Sequence, residues 1–299
     1  MSLAAAHWSA SWPVLIGYAV LVTAHLRGLV PAVRDTPVAL RHERRNLLVQ
    51  AAVFHAGLLI AALALVSPLG YWSGRYLWPH AAQDIVLAFV APGLIALGAP
   101  WQLLRRGSRL GRGAAPEPAP QGAGEPWWVA SPVAAVIAFN AVWLGWHLPW
   151  PYDATRGGGP TAAAEYASYL TAGTLFWLQL IGSRPMRPAA APMRRFALLL
   201  STAAAAAALG MVLAFGSGLV YPAFVGGSRH LGAALADQQL GGAVLWMGIL
   251  PPIMVVGVAL LFQWFEDEES AALAAGLDRL VAPPKTAWPS GPGRRRTAH

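Results

Sequence analysis

Trp146-His147-Leu148-Pro149-Trp150-Pro151-Tyr152-Asp153 closes a long apolar segment and opens a polar turn. Nothing charged precedes it between Trp127 and Gly145. Two prolines follow His147, and each lacks a backbone N–H and clashes with the turn before it. The stretch therefore reads as the last turn of an apolar helix carrying His147, with Tyr152 and Asp153 in the loop beyond. An uncharged helix of this length that ends in a His, a Tyr and an Asp is a membrane span with a polar terminus.

Working outward, apolar runs of about 20 residues, the length that crosses a bilayer as a helix, recur along the chain. Seven are legible: Trp12–Val33, Leu47–Pro68, His80–Leu104, Trp127–Leu148, Thr161–Gly182, Phe196–Gly216 and Leu240–Phe265. The chain is 56% hydrophobic and 11% charged, against about 25% charged in an average soluble domain. So few charges could not coat a large soluble helical core. The expected fold is an all-α, polytopic transmembrane bundle of about seven spans over residues 1–265. A cytoplasmic Pro- and Arg-rich tail, residues 266–299, follows it.

The net charge of +8 raises nucleic acid as a partner, but its placement argues for topology instead. Basic residues cluster after the first span (Arg27, Arg34, Arg41, Arg44, Arg45) and after the third (Arg105, Arg106, Arg109, Arg112). They cluster again between the fifth and sixth (Arg184, Arg187, Arg194, Arg195) and after the seventh (Arg279, Lys285, Arg294, Arg295, Arg296). The alternate connections hold only Arg75, Arg156 and Arg229. By the positive-inside rule the N-terminus is outside and the C-terminus cytoplasmic. The Gly-, Pro- and Ala-rich connection Arg105 to Pro126 has linker composition. The absence of cysteine excludes disulfides, thiolate metal sites and thiol redox chemistry. No phosphate loop, nucleophile elbow or zinc-protease helix is present.

Ionisable residues in spans are costly and are functional suspects by default. His80, Gln83 and Asp84 share one helix face at the start of the third span. Asn140, Trp143 and His147 share a face of the fourth. Glu165 and Tyr166 open the fifth, Tyr221 follows the sixth, and Asp237, Gln238 and Gln239 open the seventh, with Trp246 deeper. On the topology above all lie near the outer face. Candidate metal ligands are His80, Asp84, His147, Asp153, Glu165 and Asp237; imidazole suits copper and zinc, and carboxylate tolerates both. The competing reading is a hydrogen-bonded network that locks the helix ends. His25 and His55 read as a helix–helix contact. Met211, Met247 and Met254 read as core filler rather than thioether ligands for Cu(I).

Several short motifs, taken in order, resemble the multi-spanning CtaG family of bacterial cytochrome c oxidase assembly factors. They are Ser67-Pro68, His80-Ala81-Ala82-Gln83, Ala91-Pro92, Leu97-Gly98-Ala99-Pro100, Trp146-His147-Leu148-Pro149 with Tyr152-Asp153, Phe176-Trp177, and Asp237-Gln238-Gln239-Leu240-Gly241-Gly242 with Trp246. The resemblance covers about residues 47 to 265. It implies a non-enzymatic membrane protein of the bacterial cytoplasmic membrane that partners cytochrome c oxidase subunits and handles copper for a haem-copper centre. The chain departs from the family at Asp84, Ala162 and Tyr166, where histidines are common. The alternative is a membrane redox or transport protein binding haem, quinol or a small solute in the same polar cluster.

Overall fold

The computed structural model describes residues 7–281, apart from residues 10, 109–130, 157, 187, 189, 228 and 229. Most of the linker expected at Arg105 to Pro126, the start of the fourth span at Trp127, and the end of the tail lie outside the described residues.

Among the described residues the fold is all helix, without a β-strand. In chain order the helices are α1 (Trp12–Asp35), α2 (Arg41–Val66), the short α3 (Pro68–Ser73), α4 (Leu77–Ile85), α5 (Ala91–Leu97) and α6 (Trp101–Ser108). After the linker come α7 (Pro132–Trp146), α8 (Pro149–Thr155), α9 (Gly159–Leu180), α10 (Pro192–Phe215), α11 (Leu231–Gly248) and α12 (Leu250–Val281). A π-helical turn, Val86–Val90, joins α4 to α5.

Helices stand at all seven predicted positions. Five stretches are long and apolar enough to cross a membrane, or six if the bent pair α7–α8 is one span. The count of seven is not reached on this measure. Helix α9, at 22 residues, is long enough but carries Glu165, Tyr166, Ser168, Tyr169 and Gln179. The outer surface is apolar: Val20, Ile137, Val212, Phe215, Val255 and Phe262 are all exposed. A soluble protein rarely leaves so extended an apolar surface open to water, whereas a lipid-facing surface requires it.

Prolines punctuate these helices. Pro132, Pro149 and Pro192 occupy the first turn of α7, α8 and α10, where a missing N–H costs nothing and φ is already helical. This corrects the expectation for residues 149–155. Pro149 ends α7 and also starts α8, so Tyr152 and Asp153 lie on a short helix turned by 72° rather than in a loop. The seventh span differs as well. It begins at Leu231 and breaks at Ile249, so Asp237 lies inside a helix.

Close crossings depend on small residues. A Cβ on Gly28 of α1 would fall 2.1 Å from the Leu103 carbonyl oxygen, and one on Gly107 of α6 would fall 1.7 Å from that of Ala24. Gly210 of α10 and Gly242 of α11 meet in the same way, each backbone against the other. In lipid, where no hydrophobic force drives helices together, such backbone approach supplies the packing.

The core follows α4, the π turn and α5, packed against α2, α9 and α11, with α7, α10 and α12 adding side chains around it. Its centre is aromatic. Phe89 lies edge-on to Phe139 and Trp143, and Phe139 stacks on Phe176 with ring centroids 4.7 Å apart. Trp177 donates from its indole N–H to the Phe89 carbonyl at 2.8 Å.

Candidate metal centre

The site lies at the top of this aromatic column, where three helices deliver polar groups. His80 and Asp84, at i and i+4 on α4, share one face. Glu165 comes from α9, and His147 from the C-cap of α7. All four are buried, with Asp84 and Glu165 completely so.

His80 Nε2 lies 3.6 Å from Asp84 Oδ1 and 3.5 Å from Glu165 Oε1. His147 Nε2 lies 3.7 Å from Asp84 Oδ2. These separations are too long for good hydrogen bonds. Both imidazole Nε2 atoms and all four oxygens of Asp84 and Glu165 lack hydrogen-bond partners. Buried polar atoms are almost always paired, so these unpaired atoms, with the Tyr152 hydroxyl unpaired beside them, mark the cluster out.

The far side of each imidazole is satisfied. His80 Nδ1 is 3.3 Å from the Ser73 carbonyl oxygen, and His147 Nδ1 is 2.8 Å from that of Trp143. A carbonyl oxygen only accepts, so both Nδ1 atoms carry the hydrogen, and in the neutral rings both Nε2 lone pairs face the cluster. This is the usual arrangement of a metal-binding histidine, whose second nitrogen donates to an outer acceptor. One ligand atom each of His80, Asp84 and Glu165 lies within 4.8 Å of the others, a spacing that a single ion can bridge.

Aromatic side chains wall the cluster. Tyr152 packs against both imidazoles and against Tyr221. Tyr221 donates to the His147 carbonyl at 2.7 Å. Burial, with the carboxylates of Asp84 and Asp153 nearby, raises its hydroxyl above the ordinary range and keeps it a donor. The Tyr169 hydroxyl is 3.4 Å from His147 Nδ1.

Of the six candidate ligands, His80, Asp84 and Glu165 bring one ligand atom each within 4.8 Å of one another, and His147 lies beside them, 3.7 Å from the second Asp84 oxygen. Asp237 does not join them. Its carboxylate accepts from the backbone N–H of Leu77 at 2.7 Å and of Trp78 at 3.3 Å, capping the helix that carries His80. Asp153, on α8, is not among the carboxylates that meet His80 or His147. The neighbouring glutamines are structural: Gln238 holds Gly218 and Val220, and Gln239 holds Gly216. Gln83 donates to the Ala64 carbonyl, and Asn140 donates to Val136 and Thr202. His25 and His55 pair with each other across α1 and α2 at 3.2 Å, a helix–helix contact as expected. Met211, Met247 and Met254 face outward, which corrects their reading as core filler; lipid-facing positions accept any apolar side chain.

The residue not singled out from sequence is Tyr169. Its signal was the i, i+4 spacing from Glu165, which puts both on one face of α9. Two departures from the family pattern now have positions. Asp84 is inside the cluster. Tyr166 follows Glu165 on α9 and packs, half-buried, against the apolar core.

A polytopic helical membrane protein with a buried cluster of two histidines and two carboxylates is thus the class that fold and site define. No curated protein and no solved structure matches the chain. The description of the cytochrome c oxidase caa3 assembly factors matches residues 23–267, which covers the described helices from within α1 into α12. The chain belongs to that family.

Proposed function

We propose that this protein is a non-enzymatic assembly factor of the bacterial cytoplasmic membrane. It holds copper at His80, Asp84, His147 and Glu165 on its way to a haem-copper cytochrome c oxidase subunit. The observation carrying this reading is the buried group His80, Asp84 and Glu165, whose ligand atoms lie within 4.8 Å of one another, with His147 beside it and both Nδ1 atoms directed to backbone carbonyls. Copper is cargo here. The chain supplies donor atoms, fixed imidazole orientations and an aromatic wall that excludes water.

Topology supports an outward-facing centre. The Arg-rich connections occupy one set of helix ends, while His80, His147 and Glu165 belong to the alternate ends. Positive-inside placement puts the centre toward the outer leaflet. The spacing of the four ligands argues against haem, quinol or a larger solute: Asp84 stands within 3.7 Å of both histidines, leaving room for an ion between them and not for a ring.

The test is complementation of a deletion strain. His80→Gln and His147→Gln should insert at normal levels yet yield an oxidase without its copper-dependent activity, measured per unit of assembly protein. Normal oxidase activity in both variants would remove metal handling and leave a scaffold.

A further inference from the structure

Among the described residues no Lys or Arg is paired with Asp84 or Glu165, whose ion-pair contacts are with His80 and His147 alone. Those imidazoles are neutral when they act as ligands, because each keeps only its Nδ1 hydrogen. With a metal bound, two neutral imidazoles and two ionised carboxylates give these four buried side chains two negative charges. A buried charge must be paired, and here the guest ion is the pairing group. A dication brings the site to neutrality, whereas a monocation leaves one uncompensated negative charge among aromatic rings.

Donor chemistry points the same way independently. The set is two imidazole nitrogens and carboxylate oxygens, without sulfur. The chain has no cysteine, and Met193, Met211, Met247 and Met254 are exposed. Monovalent copper favours thiolate and thioether, while imidazole with carboxylate suits divalent borderline ions.

We infer that the centre accepts its metal as a dication, Cu2+ rather than Cu+, and selects valence by charge neutralisation. The inference rests on the reading of His80, Asp84, His147 and Glu165 as a metal site, and adds which oxidation state the site takes. Cargo that is Cu+ when it reaches the site would have to be oxidised first, by a one-electron acceptor outside this chain.

The experiment uses full-length protein in detergent, stripped of metal. Zn2+ is the redox-inert dication and Ag+ the redox-stable stand-in for Cu+. Equilibrium dialysis with metal analysis gives both affinities. One equivalent of Zn2+ should bind at least about a hundredfold more tightly than Ag+, since one unit charge at ligand distance is worth on the order of that factor or more. Glu165→Gln, with one negative charge fewer, should move the Zn2+/Ag+ ratio toward Ag+ by about tenfold or more. His147→Gln, which removes a donor but no charge, should weaken both ions and change the ratio by less than about threefold. Asp84→Asn repeats the charge test if Glu165→Gln does not fold.

Equal or tighter binding of Ag+ by the unaltered protein would overturn the inference and leave the metal site standing. A ratio that moves no more in Glu165→Gln and Asp84→Asn than in His147→Gln would overturn it too. Binding of neither ion would remove the metal site itself, and the inference with it.

Discussion

Asp84 and Asp237 show how differently one residue type is used inside a membrane helix. Both carboxylates approach α4, one from its own face and one from α11. Asp237 spends its oxygens on two backbone N–H groups at the start of the helix, where a carboxylate also meets the positive end of the helix dipole. Asp84 caps no backbone N–H and instead turns its oxygens to His80 and His147. Asp237→Ala should therefore destabilise the protein by about 1–2 kcal/mol, the usual loss for an N-cap. Asp237→Asn should recover much of that loss, and metal stoichiometry should stay at that of the parent in both. Thermal melting and metal analysis of the two variants check this; loss of the metal in Asp237→Asn would return Asp237 to the ligand set. Sequence could not separate the two aspartates. A polar residue at the right depth serves equally as ligand or cap. What decides is a backbone donor 160 positions away in the chain, which no local pattern reveals. His147 was legible for the opposite reason, because the prolines that position it are adjacent to it.

The same contrast holds for whole helices. Long apolar runs were legible from hydropathy, since a helix must satisfy its own backbone in lipid. Their subdivision was less so, because a proline that ends one helix also suits the first turn of another. The polar stretch that carries Asp237 was read as a helix start, although α11 begins at Leu231. Small-residue packing on α10 can be resolved position by position. Thr202, Ala206 and Gly210 form a buried stripe at four-residue spacing, while Ala204 and Ala208 are exposed. Ala206→Leu should overpack the contact and cost about 1–3 kcal/mol. Leucine at Ala204 or Ala208 should be tolerated in lipid. Melting temperatures of the three variants in one detergent test the pattern, and equal losses at all three would contradict it.

For the molecule as a whole, charge placement and site depth stand or fall together. Reporter fusions after Arg45, Arg106 and Arg195 should all report the cytoplasm. A single external signal would invert a segment and overturn the outer-leaflet position proposed for the cluster. The span bearing His80 and Asp84 has one further property. Between its outer part and its inner part sits the π turn Val86–Val90, in which the Ala91 N–H reaches back to the Val86 carbonyl. The turn holds one residue more than an α-helix would, and Pro92 just beyond has no N–H to offer. One residue is about 100° of rotation but only about 1.5 Å of length. The extra residue thus acts as a phase shifter: it sets the azimuth of His80 and Asp84 independently of the face that presents Gly93 to Trp177. Apolar substitutions inside the turn would leave that azimuth alone. Deletion of one residue from it would keep a span of nearly unchanged thickness and swing both ligands away from Glu165 and His147.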